Sequence, residues 1–167
     1  DSSEKIELLK GFNKHRHLKF YELLKRSTKE ILITNKLPNR ISEQADEEVD
    51  KFLTNGGRIK TIYQVSDEVK ILFDDGWREL TKTELIDLCK SFETDGLEIK
   101  LTYQIPQNFT VFDEKYVFLN LIDESLDKYN KSDLIIDNEQ YATAMKDLFD
   151  YYWDRSMTIS EFEKKLK

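Results

Sequence analysis

Residues 106–120 have the sequence PQNFTVFDEKYVFLN. The two apolar runs in this segment are separated by residues 113–115, Asp-Glu-Lys, a combination that favours a tight turn. We predict two strands, over 109–112 and 116–122, joined by this turn. Two interpretations of Asp113 stay open: its carboxylate fixes the turn, or it binds a ligand at the end of the strand.

Strands and helices alternate along the rest of the chain. Short apolar runs predict strands over 30–35, 58–65, 97–105 and 134–136. Apolar residues at helical spacing predict helices over 4–29 and after Ser42, Thr81, Asn138 and Thr158, with capping boxes at Thr81/Glu84 and Thr158/Glu161. The strand–helix–strand unit over 30–65 predicts two parallel neighbouring strands. Residues 71–73 fit either a short strand or a short helix. Together these elements predict an α/β fold, a mixed β-sheet flanked by helices.

The composition is that of one ordinary globular domain. The chain has 167 residues, 35% of them charged and 39% hydrophobic, with a net charge of −7 and a pI near 5.0. Such a chain lacks the clustered Lys and Arg that a dedicated nucleic-acid surface needs. Basic residues do outnumber acids over 10–29. This bias indicates a solvated helix face or, as the alternative, a helix near DNA backbone or an acidic partner.

The same composition bears on location. Cys89 is the single cysteine and has no partner for an internal disulfide, which indicates a cytoplasmic protein. No apolar run approaches the roughly 18 residues that cross a bilayer, and no signal peptide opens the sequence, so we expect no membrane partner. Because the first residue is Asp1, we expect a fragment of a longer protein.

The order and spacing of several segments resemble a phospholipase-D-like domain. The resemblance covers roughly residues 20–155, and it rests on residues 23–35, the pair Gly56-Gly57 followed by 58–63, residues 132–139, and a helix ending in Phe149 and Trp153. It implies a linking helix over 1–29, a phospholipase-D-like α/β sandwich over 30–157, and a short C-terminal helix over 158–167.

Active members of that family carry the motif H-x-K-x-x-x-x-D. Here Pro106 stands in place of the histidine and Asn108 in place of the lysine, while Asp113 is kept. Proline offers no nucleophile and asparagine carries no charge, so neither catalytic role is filled. We therefore predict a non-enzyme without catalytic residues.

Other candidates for chemistry are weaker. His17 and Lys19 match H-x-K, but the required acid would fall at Leu24 and the segment reads as a helix. His15 and His17 lie on different helix faces, which excludes them as a metal pair, and we predict no metal and no cofactor. Cys89 lies on an apolar helical stripe without a neighbouring histidine, so we expect a buried structural thiol.

Catalytically degenerate modules of this kind form the C-terminal half of TrmB-type transcriptional regulators. The resemblance implies an effector-sensing or dimerisation domain, working as a homodimer. It implies DNA contact only through a winged helix missing from this fragment, and a small-molecule effector. Two alternatives stay open: a phosphodiesterase or nuclease of the phospholipase D superfamily, and an interaction domain without a ligand.

Polar or aromatic residues near predicted strand ends and turns are the candidate ligand-binding set. These are Asn35, Trp77, Asn108, Asp113, Asn120 and Asn138. Each has a structural alternative, since asparagine and aspartate commonly serve as turn residues or helix caps and a tryptophan commonly packs on a sheet. Tyr151 points away from the apolar stripe of its predicted helix and is a candidate for a subunit interface.

Overall fold

A computed structural model of the protein describes residues 5–10, 13–35, 43–65, 69–73, 76–121 and 132–166. The elements in chain order are β1 (Lys5–Lys10), α1 (Asn13–Arg26), β2 (Glu30–Asn35), α2 (Glu43–Thr54), β3 (Arg58–Gln64), β4 (Val69–Phe73), β5 (Gly76–Leu80), α3 (Lys82–Thr94), β6 (Glu98–Thr102), β7 (Asn108–Phe112), β8 (Tyr116–Leu121), β9 (Ser132–Asp137), α4 (Glu139–Arg155), β10 (Met157–Thr158) and α5 (Ile159–Lys165).

Eight strands form one sheet in the order β1-β9-β8-β7-β2-β3-β6-β10. The central strands β2, β3 and β6 are parallel, as predicted for the first two. The flanking strands β7, β8, β9 and β1 run antiparallel to their neighbours. This mixed sheet confirms the predicted fold class.

Four of the helices lie on one face of the sheet. Their buried side chains are Leu23 and Leu24 of α1, Phe52 of α2, Leu85, Ile86 and Cys89 of α3, and Phe162 of α5. They pack on sheet residues that include Ile31, Ile59, Ile99, Leu101 and Phe112. Because side chains alternate along a strand, Ile31 and Ile59 face away from Leu32 and Ile62. This face is the α1 side of the sheet.

The helix α4 covers the opposite face, here named the α4 side. Its buried residues Ala142, Met145 and Phe149 repeat at helical spacing. They pack on a second set of strand residues that includes Leu32, Ile62, Phe109, Val111 and Val117. The central strands are therefore buried on both faces.

The predicted helix over 4–29 is wrong at its start. Residues Lys5–Lys10 form β1, which pairs antiparallel with β9, and the helix begins only at Asn13. Ile6 and Leu9 are spaced as on a helix, but Leu9 is buried under α1 while Ile6 is 73% exposed, as alternation in a strand requires. The division of the chain into three parts stays a prediction.

The sequence pattern does not favour a single structure for residues 66–80. The described part of this segment contains two paired strands. β4 and β5 form a separate two-stranded antiparallel sheet, with Leu72 opposite Trp77. The alternative of a short helix over 71–73 is therefore wrong.

Local sequence signals are confirmed where the structure describes them. Both capping boxes form, and Asn138 caps α4 by accepting a hydrogen bond from the backbone N–H of Tyr141. Gly56 ends α2 with φ of 92°, a conformation that costs glycine little. Ser42 lies outside the described residues.

Candidate functional site

The hairpin that carries the motif positions spans the sheet from one edge to the other. Asp113 and Glu114 form its turn with φ of 54° and 55°, and the backbone N–H of Lys115 donates to the carbonyl of Phe112 at 2.9 Å. Positive φ at both central residues is what tight hairpin turns require. Asn108 and Asp113 are therefore separated by a strand of about 17 Å, so the motif positions do not converge.

The Asp113 side chain contacts backbone groups outside its own turn. Its carboxylate accepts hydrogen bonds from the backbone N–H groups of Thr28 and Lys29, both at 2.8 Å, and of Glu30 at 2.9 Å. Its own N–H donates to the carbonyl of Glu30 at 2.8 Å. Asp113 thus anchors the start of β2 to the β7–β8 turn, a structural role other than the predicted one of fixing the turn itself. Ligand binding at Asp113 stays a prediction.

Asn138 lies at the same edge of the sheet, since it follows Asp137, which pairs with Tyr116 just after the turn. We name this edge, with Asp113, Glu114 and Asn138, the turn edge. Lys146 of α4 closes it by ion pairs to Glu30 at 3.0 Å and Glu114 at 2.8 Å. These two carboxylates raise the pKa of Lys146. The charged groups at the turn edge are therefore occupied in holding strands and helix together.

Three predicted residues meet at the opposite edge, named the polar edge. Asn108 lies directly opposite Asn120 in the register of β7 and β8, and Asn35 ends the neighbouring strand β2. All three project to the α1 side of the sheet, because Phe109 and Leu119 project to the α4 side. These two antiparallel pairings thus bring together asparagines that are up to 85 residues apart in sequence.

The polar edge also contains residues that the sequence did not single out. Asp133 of β9 is fully buried and accepts a hydrogen bond from the Asn120 side chain at 2.9 Å. Tyr63 of β3 hydrogen-bonds Asn35, and burial raises the pKa of its hydroxyl, which keeps it neutral. The position of a polar residue near the end of an apolar strand is the sequence signal that could have identified Asp133 and Tyr63.

Further polar contacts fix the loops that enter and leave this edge. The Thr34 hydroxyl donates to the carbonyl of Gln107 at 2.8 Å and accepts from the N–H of Phe109 at 2.9 Å. The Gln107 amide donates to the carbonyls of Asn108 and Asn120. Asn35 and Asn108 are themselves buried. The asparagines therefore build the polar edge more than they offer exposed groups to a ligand.

A cavity of about 380 Å³ opens beside this edge on the α4 side. Its lining consists of Thr102, Gln104, Ile105 and Pro106 from the segment between β6 and β7, and Tyr151, Tyr152, Arg155 and Ser156 from the end of α4. Pro106, the residue in place of the family's histidine, thus faces open space. The cavity was not foreseen, because its two walls are about 50 residues apart in sequence.

Arg155 is the charged residue among those lining the cavity. Its guanidinium lies 3.5 Å from the centre of the Tyr151 ring and donates to the Tyr151 carbonyl at 3.1 Å. Stacking of this kind holds a guanidinium in place while leaving donors available for an anion. Tyr151 is 51% exposed, so it is open to a ligand or a partner; its role at a subunit interface stays a prediction.

The described residues offer little for catalysis. Cys89 is fully buried, and burial together with Glu93 raises the pKa of its thiol to about 12, so the thiolate is absent at neutral pH. Within the described part of the chain no three His, Cys, Asp or Glu side chains group to hold a metal.

Trp77 lies in β5, and the side chains of Trp77, His15 and His17 fall outside the described residues. Within the described residues, no helix is long and apolar enough to cross a membrane.

No family model matches the sequence, and no curated protein matches it. Solved structures do match the chain. TrmBL2, an archaeal chromatin protein whose structure shows a novel mode of DNA binding, superposes on 94% of this chain with a TM-score of 0.67 and 19% identity. The chain spans 55% of the length of TrmBL2.

Two further similar structures are bacterial. Nuc from Salmonella typhimurium, a phospholipase D family member, has a TM-score of 0.66 at 9% identity over 93% of this chain and 98% of its own. NucT from Helicobacter pylori has a TM-score of 0.66 at 10% identity over 93% of this chain and 99% of its own. At these identities the likeness is one of fold. The protein has the phospholipase-D-like fold, related to that of the TrmB-type protein TrmBL2.

Proposed function

We propose that the protein is a non-catalytic regulatory domain of a transcriptional regulator, which senses a small effector and pairs as a homodimer in the cytoplasm. DNA is contacted through a winged-helix domain outside this chain. The observation that carries the proposal is the chemistry at the polar edge, where Pro106 and Asn108 supply neither a nucleophile nor a charge. The fold shared with a DNA-binding chromatin protein supports the regulatory role.

The cavity beside the polar edge is the proposed effector site. It offers one guanidinium, Arg155, beside the exposed ring of Tyr151, with the polar side chains of Thr102 and Gln104 in the opposite wall. A guanidinium recognises carboxylate or phosphate, and an aromatic ring packs on a flat or apolar body. The chemical class that fits is a small anionic metabolite, such as a phosphorylated sugar or a nucleotide.

A thermal-shift screen of sugars, nucleotides and phosphorylated metabolites tests this site. Any ligand bound only by the folded state stabilises it by mass action, by about 2.7 kcal/mol at a hundred times its Kd. We expect an anionic ligand to raise the unfolding temperature of the wild type and to lose this effect in Arg155→Gln. Without ligand, Arg155→Gln unfolds as the wild type does, since an exposed substitution costs less than about 0.5 kcal/mol.

Arg26→Gln is the matched control for that screen. Arg26 is also an exposed arginine near a helix end, but it pairs with Glu22 on α1, across the sheet from the cavity. Its substitution leaves the ligand-induced shift intact. A ligand whose shift persists in Arg155→Gln would place the effector elsewhere, and a screen without any shift would contradict effector sensing.

The alternative is a phosphodiesterase, because the chain matches nearly the full length of Nuc, a phospholipase D family member. Metal-free hydrolysis of bis(4-nitrophenyl) phosphate distinguishes the two. We expect no turnover above that of a buffer control. Turnover that disappears in His17→Ala would overturn the non-catalytic assignment.

A further inference from the structure

The α4 side of the sheet has an apolar part that α4 does not cover. Within the described residues, α4 lies over β2, β7 and β8, and β9 and β1 lie beyond it. On β1, Ile6 is 73% and Leu8 is 48% exposed, and Leu121 at the end of β8 is 40% exposed. We name this surface the open face; its members are Ile6, Leu8, Leu119, Leu121, Leu134 and Ile136.

Strand register makes the open face continuous. Ile6 lies opposite Ile136, and Leu8 lies opposite Leu134. Leu134 lies in turn opposite Leu119 of β8. Side chains directly opposite in an antiparallel pair are about 5 Å apart and project from the same face. Apolar rows therefore run from β8 across β9 to β1, the outermost strand on this side of the sheet in the described residues, and Leu119 and Ile136 join them to the core under α4.

One flank of α4 borders the open face. Trp153 marks the other flank, since its ring lies 5.0 Å from the ammonium of Lys60 and 4.9 Å from that of Lys100, on β3 and β6. By helical spacing, Tyr141 and Leu148 lie on the flank opposite Trp153, and Leu148 belongs to the same core cluster as Leu119 of β8 and Ile136 of β9. Tyr141 is 36% exposed. The open face is thus a shallow apolar surface on the sheet, bordered on one side by α4.

The exposed apolar area matches the core of a dimer interface. Ile6, Leu8 and Leu121 of the open face, together with Tyr141 on the bordering flank of α4, expose about 400 Å², since a large apolar or aromatic side chain presents roughly 200 Å². The largest apolar patch on a typical monomer is about 300–600 Å² and is often functional. A standard interface buries about 800 Å² per partner, of which a little over half is apolar. The patch therefore supplies the apolar half of one such interface.

We infer that the open face is covered by the same face of a second copy of this chain, related by a two-fold axis. Packed sheets lie about 10 Å apart, and a helix is about 10 Å thick. At that sheet spacing, each α4 lies beside the partner's β1 and covers the outer edge of that strand, which pairs with no other strand among the described residues. This inference deepens the homodimer part of the proposed function and does not depend on the effector.

Sedimentation equilibrium of the 167-residue chain with Ile6→Glu tests the interface. We expect the wild type to have twice the mass of 19.9 kDa at micromolar concentrations. In Ile6→Glu the dimer weakens at least tenfold, because a buried unpaired charge costs more than the about 1.4 kcal/mol that a tenfold change represents. Ile6 is largely exposed in the single chain, so the monomer's circular dichroism and unfolding temperature stay as in the wild type.

Leu18→Glu is the matched control, because Leu18 is 55% exposed on α1, on the other side of the sheet. It leaves the dimer intact. A dimer that persists in Ile6→Glu overturns the open face as the interface while leaving a homodimer in place. A monomeric wild type overturns both the interface and the homodimer. A dimer lost in Leu18→Glu places the contact on the α1 side.

Discussion

The turn edge and the polar edge of the sheet differ in the charged side chains that they carry. At the turn edge, the Asp113 carboxylate accepts three backbone hydrogen bonds and the Lys146 ammonium pairs with two carboxylates. At the polar edge, the Asn120 amide donates to the buried Asp133, and the adjoining cavity has a single arginine among its lining residues. The charged side chains of the turn edge thus hold strands together, whereas motif positions 106 and 108 carry no charge. The comparison separates structural positions from functional ones, and substitutions at the two edges test it.

The largest expected effect is at the turn edge. Asp113→Ala removes the acceptor for three N–H groups and places alanine at φ of 54°, a region that favours Gly, Asn and Asp. We expect a loss of about 3 kcal/mol in the free energy of unfolding, since a hydrogen bond to a charged group contributes about 1.5–3 kcal/mol. Urea denaturation measures this loss as a lower midpoint with an unchanged slope.

Asp113→Asn is the control for that substitution. Asparagine tolerates the same backbone conformation and keeps one carbonyl acceptor, so it loses less stability than alanine does. Equal losses in the two variants would show that the charge of Asp113 is what anchors β2. A loss under about 0.5 kcal/mol in Asp113→Ala, the range of ordinary surface changes, would contradict the anchoring role.

An intermediate effect is expected at the polar edge. Asn120→Ala removes the amide that donates to the buried carboxylate of Asp133. We expect a loss of about 2 kcal/mol, because the Asp133 carboxylate loses one donor and a hydrogen bond to a charged group contributes about 1.5–3 kcal/mol. Asn55→Ala, at an exposed asparagine after α2, is the control and stays within about 0.5 kcal/mol. An Asn120→Ala variant as stable as that control would mean that the asparagines are not structural.

The smallest effect is expected for Lys146→Met, whose two ion pairs are partly exposed. We expect a loss of about 1 kcal/mol at pH 7, since such pairs contribute about 0.2–1 kcal/mol each. The folded-state pKa of Lys146 is raised above its usual 10.5. Its contribution is therefore complete below pH 10.5 and is lost as the pH rises through the folded-state pKa.

Unfolding measured from pH 7 to above pH 11 tests that pH dependence. The difference between wild type and Lys146→Met stays constant to about pH 10 and shrinks beyond it. Lys90→Met, which removes one exposed ion pair to Glu163, shows a smaller difference at pH 7. A difference for Lys146→Met that does not change with alkaline pH would assign its effect to packing alone.

Local signals were sufficient for most of the fold. Capping residues at Thr81, Asn138 and Thr158 act within three residues, and they mark helix starts that the structure confirms. The two elements that were wrong or open, β1 and the β4–β5 hairpin, depend on pairing instead. Leu8 and Leu9 are adjacent apolar residues, a pattern that fits a helix as well as a strand, and only the pairing with β9 decides between them.

The candidate site was predictable in part for a similar reason. Asn35, Asn108 and Asn120 were singled out as polar residues near strand ends, and the sheet order brings them together. The same rule applied to Asn138, which caps a helix at the other edge. Sequence position alone does not say at which edge a strand ends, because that depends on its direction in the sheet. The cavity depends on how α4 crosses the sheet, so no local pattern indicates it.

The pairing of β1 with β9 also sets an order in which the chain can be completed. Leu9 lies opposite Asp133, so among the described strands β1 pairs only with β9, which is synthesised more than a hundred residues later. Every other neighbour contact in the large sheet joins segments closer together in sequence. Pairing over so long a stretch of chain has the largest entropic cost of loop closure. Among the described strands of the large sheet, β1 is therefore the one whose pairing partner follows it at the greatest distance along the chain.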